Sequence, residues 1–144
     1  MMAPDLNDEQ RRRVEELRES VPFLKHLGIE VESAGIGTAT LLLPVRGELM
    51  RNDGIIHGGA LASLIDSAFA VAITPLLGEG ERTVTVDLTI HYLRPVSGGV
   101  AKASARVVRA GRRVITVSAD LFDENEKLAA TALSTYLRIT TSSV

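Results

Sequence analysis

The sequence predicts an α+β fold, a curved antiparallel sheet of five to six strands wrapped around one long central helix, with an N-terminal helix on the surface. Two observations lead there. From His57 to about Leu77 the chain is rich in Ala and Leu and apolar nearly all round, the pattern of a helix enclosed by protein. After it the period changes to two, and four β patterns follow at Thr83 to Leu93, Val100 to Arg109, Val114 to Phe122 and Lys127 to Ile139. A helix of about 20 residues is roughly 30 Å long, and a strongly bent sheet is the economical way to cover it. One sheet cannot cover every side, so apolar surface is left for another copy of the chain.

The elements follow in order. Residues 7 to 21 form a predicted helix, with Asn7 as cap, Gln10 three positions on, and Val14, Leu17 and Val21 as a thin apolar stripe. Arg11, Arg12 and Arg13 interleave there with Glu9, Glu15, Glu16 and Glu19, as on a solvated face. Residues 1–21 are therefore expected to be an N-terminal helical extension and 22–144 the domain proper. Pro22 to Gly28 reads as a turn, and Ile29 to Ser33 and Thr38 to Pro44 as a hairpin closed by Gly35-Ile36-Gly37. A polar loop from Val45 to Ile56 leads into the central helix. In the next strand Val84, Val86, Leu88 and Ile90 alternate with Thr85, Asp87, Thr89 and His91, which predicts that the first set is buried. Turn signals at Pro95 to Gly99, Ala110 to Arg112 and Asp123 to Glu126 predict antiparallel neighbours in sequence order.

Composition excludes several functions. The 144 residues fit one domain on a prior of about 100 to 200 residues each. A net charge of −2 gives no overall field for nucleic acid or an anionic membrane. Zero cysteines exclude thiolate metal sites and cysteine nucleophiles, and His26, His57 and His91 are too scattered to suggest a metal. The charged N-terminus lacks the apolar core of a secretory signal, so a cytoplasmic protein is expected. Ser63, Asp66 and Ser67 interrupt the apolar stretch and argue for a soluble core helix over a membrane span. Phosphate-binding loops, the serine elbow and the zinc-protease helix are absent.

The remaining chemistry is carried by carboxylate and backbone. Gly58 and Gly59 at the start of the central helix leave their amides uncovered where the helix dipole is positive, a site for a carbonyl oxygen gaining charge. The same pair could serve close packing alone. Asp66 is the one ionisable residue between His57 and Glu79, so burial demands partners. Ser63 and Ser67 are the local candidates, and Asp66 is either held structurally by them or poised as a general base or nucleophile. Nine positions separate His57 from Asp66, which puts them on opposite sides of a helix and about 13 Å apart along it. If both serve one reaction, the site lies across a two-fold interface, with the Gly58 amide of one chain facing Asp66 of the other. The stretch from Leu88 to Ala119 has no acid and carries Arg94, Lys102, Arg106, Arg109, Arg112 and Arg113. These cations either protect strand edges or anchor a phosphorylated carrier such as coenzyme A.

Taken together, Gly54-Ile55-Ile56-His57-Gly58-Gly59, Leu64-Ile65-Asp66, Thr85-Val86-Asp87-Leu88 and Tyr92-Leu93-Arg94-Pro95 resemble the hotdog-fold acyl-CoA thioesterases of the phenylacetate-degradation type, over roughly residues 22 to 139. The resemblance implies hydrolysis of an acyl-CoA at a homodimer interface, often in a dimer of dimers, with coenzyme A as part of the substrate and no other cofactor or metal. It implies that Gly58 polarises the carbonyl, Asp66 acts as base or nucleophile, His57 sits near the departing sulfur and Thr85 assists the water. Gly59, Ser63, Arg94, Arg112 and Arg113 are the expected substrate contacts. Many relatives carry Asn six residues before the motif histidine; here that position is Arg51, and Asn52 stands next to it as the candidate replacement. Two competing functions follow, an acyl-CoA-binding protein without turnover and, more distantly, a hotdog hydratase or dehydratase.

Overall fold

A computed structural model describes residues 2–140. Helix α1 (Asp8–Ser20) opens on a reciprocal cap, in which the Asn7 side chain accepts from the Gln10 amide and the Gln10 side chain from the Asn7 amide, each at 2.8 Å. Its arginines are used locally: Arg12 bridges Glu9 and Glu16, and Arg13 reaches Glu9. Val14 is fully buried, and Gln10 donates to the Pro75 carbonyl at 3.0 Å, which fastens the helix to the end of the central one.

The segment expected to be a turn is a second helix, α2 (Pro22–Leu27). Proline at its first position costs no hydrogen bond, and Gly28 at φ +77° closes it, so the turn-forming residues punctuate a helix here. The hairpin β1 (Glu30–Gly35) and β2 (Thr38–Pro44) follows, then the long helix α3 (Gly58–Ile73), extended by a tight turn at Thr74–Leu76. Strands β3 (Glu81–Tyr92), β4 (Val100–Ala110), β5 (Val114–Phe122) and β6 (Leu128–Thr140) complete the chain.

All six strands form one antiparallel sheet in the order β1-β2-β4-β5-β6-β3, curved around α3. This is the hotdog arrangement. Leu64, Ile65, Phe69 and Ile73 of α3 are fully buried against the sheet, whose Leu41, Ala103, Ile115, Val117 and Ala130 are equally enclosed. By length and composition α3 and its extension could cross a membrane, but here the helix is the core of the domain.

Two expectations about β3 are corrected. Pro95 to Gly99 does not close a hairpin: β3 lies at the far edge beside β6, and the segment after Tyr92 crosses to β4 instead. Buried Val96, whose carbonyl accepts from the Ile56 amide at 2.8 Å, pins that crossover to the loop before α3. The alternation along β3 is also interrupted, by a bulge between Thr85 and Asp87. The extra residue reverses the parity of the strand. Thr85 stands opposite buried Tyr136 on the inner face, while Val84 and Val86 are 39% and 61% exposed. The Asp87 carboxylate accepts from the Thr135 amide at 2.8 Å, and Ser134, itself buried, donates to the Asp87 carbonyl at 2.6 Å, so the bulge is held by β6.

Candidate active site

The N-terminus of α3 is built from backbone. His57 is the cap residue, outside the helix, and its Nδ1 accepts from the Gly59 amide at 2.8 Å. The Gly59 amide is thus covered, contrary to expectation. Among the described residues no group accepts from the Gly58 amide, which remains available at the positive end of the dipole. Because Nδ1 is an acceptor, the neutral imidazole carries its proton on Nε2, leaving an N–H donor on the exposed side. Both glycines have close neighbours. A Cβ on Gly58 would stand 3.3 Å from the Tyr92 ring, and one on Gly59 3.0 Å from His57 Nδ1. Tyr92, at the end of β3, donates to the Gly58 carbonyl at 2.8 Å and so ties this turn to the edge strand.

Asp66 lies two turns further on, where α3 is half-buried. Ser63 and Ser67 do not hold it: Ser63 donates to the Gly59 carbonyl at 2.8 Å and Ser67 to the Ser63 carbonyl at 2.7 Å. Both hydroxyls turn back onto their own helix, the usual outlet for serine in a helix interior. The carboxylate is met from the sheet. Tyr136 of β6 donates to Asp66 Oδ1 in a short hydrogen bond and also reaches the Asp66 carbonyl at 3.2 Å, and Thr85 of β3 approaches Oδ1 at 3.4 Å. Burial, then the hydrogen bond to Asp66, drives the Tyr136 hydroxyl far above the usual phenol range, so it stays a donor. Tyr136 escaped the sequence reading because 70 positions separate it from Asp66.

The predicted separation of the two halves stands on one ground and falls on another. Since His57 caps the helix without joining it, the opposite-sides count does not apply; Gly59, Ser63 and Asp66 follow one another at helical spacing along one stripe. The axial distance remains, about 12 Å from Gly58 to Asp66. One reacting carbon cannot meet both in a single chain.

The other expected residues are dispersed. Asn52 is exposed at the tip of the loop between the bridged Met50 and Ile56, with no hydrogen bond among the described residues, and Arg51 beside it pairs with Asp53 at 2.7 Å. A groove of about 260 Å³ next to Gly59 and Ser63 is lined by Phe23, Leu27, Leu49 and Met50, with Glu48 and His57 also on its wall. Arg94 lies just past Tyr92, whereas Arg112 and Arg113 lie in the β4–β5 turn near Arg138. Along β6 these ends are seven residues apart, about 23 Å, so one chain does not gather the three arginines. A larger hollow of about 780 Å³ lies between α1 and residues 74–82 and touches none of the expected site residues. Among the described residues no group of three or more His, Asp or Glu is placed to hold a metal.

Residues 53–130, more than half of the chain, match the thioesterase superfamily model. A medium/long-chain acyl-CoA thioesterase of Salmonella typhimurium, YigI, is 30% identical over 81% of this chain and 85% of its own length. Among solved structures, the PaaI protein from the E. coli phenylacetic acid degradation operon superposes with a TM-score of 0.86 at 27% identity, covering 93% of this chain and 96% of that one. The thioesterase HI1161 of Haemophilus influenzae gives 0.82 at 28% identity, covering 90% of each chain.

Proposed function

The chain belongs to the thioesterase superfamily, and we propose that it hydrolyses acyl-CoA thioesters to free acid and coenzyme A at a site shared by two copies. The observation that carries this reading is the way β3 connects the two halves: through Thr85 it touches Asp66, and through Tyr92 it touches Gly58. β3 is a free edge, 12 residues long, with exposed Val84, Val86 and Tyr92. Such an edge is a template for pairing. Antiparallel pairing with the β3 of a second copy about a two-fold axis exchanges the ends, bringing the Asp66 end of one protomer to the Gly58 end of the other. Two equivalent sites result, and a further dimer of dimers would use other exposed sheet surface.

In that site the thioester carbonyl oxygen accepts from the Gly58 amide, which favours the oxyanion of the tetrahedral intermediate. Asp66 of the other chain takes a proton from the attacking water as Thr85 orients it, or attacks the carbonyl carbon itself. The C–S bond then breaks and the thiolate leaves toward His57 Nε2–H. On the general-base route the proton on Asp66 passes to the departing sulfur or to solvent. On the covalent route water cleaves the acyl-aspartyl anhydride to free acid and the restored carboxylate. The apolar side of the groove, Phe23, Leu27, Leu49 and Met50 beside Gly59, suits the acyl tail. Exposed arginines at both ends of the sheet suit the phosphates of coenzyme A, Arg94 from one protomer and Arg112 and Arg113 from the other. The chemistry asks only for water, so chelators should leave the rate unchanged.

The test is release of free thiol from acyl-CoAs running from acetyl to palmitoyl and including phenylacetyl and benzoyl. Wild type should cleave a subset and Asp66→Asn none at a comparable rate. Binding of acyl-CoA without thiol release would favour instead a binding protein, the reading that Arg51 and its pairing with Asp53 motivate. Single turnover in ¹⁸O-water separates the two roles of Asp66: label enters the enzyme carboxylate only if Asp66 is the nucleophile.

A further inference from the structure

We propose that Tyr136 is a positioning residue for the hydrolysis, fixing Oδ1 of Asp66 so that Oδ2 is the oxygen that meets the water or the carbonyl carbon. The inference rests on the hydrolase reading above and concerns which atom of the carboxylate acts and what holds it. Three observations carry it. Both side-chain hydrogen bonds to the carboxylate, from Tyr136 and from Thr85, end on Oδ1, and among the described residues none ends on Oδ2. Tyr136 is itself immobilised: it is 3% exposed, its ring meets Phe69 edge-on at 6.2 Å between centroids, and its hydroxyl spans the carboxylate and the backbone carbonyl of the same aspartate. The Thr85 contact is longer, at 3.4 Å, and comes from an exposed strand.

A carboxylate on a half-open helix face can rotate about its last bond, because terminal sp²-type torsions are broad. Two acceptor oxygens would then compete for one reacting position. A donor from the rigid sheet removes that freedom by charge-assisted hydrogen bonding to one oxygen. Tyr136 does this from the inner face of β6, where it pairs with Thr85 across the ladder, so the bulge in β3 and the tyrosine in β6 act on the same atom. Burial and the hydrogen bond to Asp66 hold the Tyr136 hydroxyl above the usual phenol range, so it meets the carboxylate as a donor. It therefore orients the acid without sharing its chemistry, and its loss should leave substrate binding alone while misaligning the reacting oxygen.

The experiment compares Tyr136→Phe, Asp66→Asn and Leu41→Ala with wild type on the panel member that wild type cleaves with the highest kcat/KM. Phenylalanine keeps the ring and its contact with Phe69, and Leu41→Ala loosens the core under β2, three strands away from Tyr136. The expected result is a kcat for Tyr136→Phe lowered about 10- to 100-fold with KM within about 2-fold of wild type, since small misplacements of a reacting group cost on that scale. Leu41→Ala should lower the melting temperature at least as much while keeping kcat within about 3-fold. In an Asp66→Asn background, Tyr136→Phe should bring no further loss of residual turnover. Wild-type kcat in Tyr136→Phe, an equal rise in KM, the same kcat loss in Leu41→Ala, or a full further loss in the Asp66→Asn background each overturns the inference while the hydrolase reading stands. Wild-type turnover by Asp66→Asn, or no turnover of the panel, overturns the hydrolase reading and the inference with it.

Discussion

The two halves of the candidate site are made of different materials. At the start of α3 the reacting group is backbone and its setting mostly local, a histidine cap, two glycines and an unshared amide within three consecutive residues, with Tyr92 reaching in from β3. At Asp66 everything is side chain and long-range, with hydroxyls delivered from β3 and β6, 19 and 70 positions away. A backbone site tolerates little bulk and carries little charge, whereas a carboxylate site tolerates bulk around it and depends on which donors reach it. The halves should therefore fail differently.

The largest effect is expected where charge chemistry resides. Asp66→Asn should lower kcat by about 10³-fold or more with little change in KM or dimer content, measured by thiol release and sedimentation; removal of a single essential catalytic group has effects on that scale. Next comes the strand that joins the halves. Val86→Lys places a charge on the pairing edge and should shift the protein to monomers in sedimentation velocity, with turnover falling in proportion to dimer lost. At the backbone half, Gly58→Ala sets a methyl against the Tyr92 ring and Gly59→Ala sets one against the capping imidazole. Gly58→Ala should cost about 10²-fold in kcat by displacing the amide that meets the oxyanion, and Gly59→Ala less, because its amide is already bound to His57.

That ordering reflects what was legible in the residues. Gly58, Gly59 and Asp66 could be singled out because glycine pairs at a helix start and an acid in an apolar helix stand out within a short window. The six-strand sheet and central helix were legible for the same reason, as period-two patterns around one apolar run. The partners of Asp66 were not. Period-two reading put Val84 and Val86 inside, and only the bulge at Val86, fixed by Asp87 and Ser134 from across the ladder, turns Thr85 inward. Nothing in the spacing of β3 announces that extra residue. Likewise α2 was hidden because Pro22 and Gly28 mark helix ends as readily as turns.

A smaller effect is expected one step back from the reacting groups. Tyr92→Phe removes the hydrogen bond to the Gly58 carbonyl but keeps the ring, and should lower kcat only about 3- to 10-fold, within the worth of one ordinary hydrogen bond. The smallest is a stability term where the ends of α3, β3 and β6 meet. The Gly78 amide at 2.6 Å, and then Arg138 at 3.1 Å, hold the Glu81 carboxyl below the ordinary glutamate range. A depressed carboxylate stabilises the fold above its unfolded value and loses that contribution as pH falls through its folded value. Glu81→Gln should cost about 0.5–1 kcal/mol at pH 7 in urea melts, and the difference from wild type should shrink in acid.

The central claim, that each site is completed by two chains, is tested most directly by mixing inactive variants. Gly58→Ala and Asp66→Asn protomers, unfolded together and refolded at equal amounts, form mixed dimers with one doubly altered site and one in which both wild-type groups face each other. Random pairing makes half of the dimers mixed, so thiol release should recover to about a quarter of the wild-type rate although neither parent is active alone. A mixture no faster than the average of its parents would contradict the shared site and return both groups to a single chain.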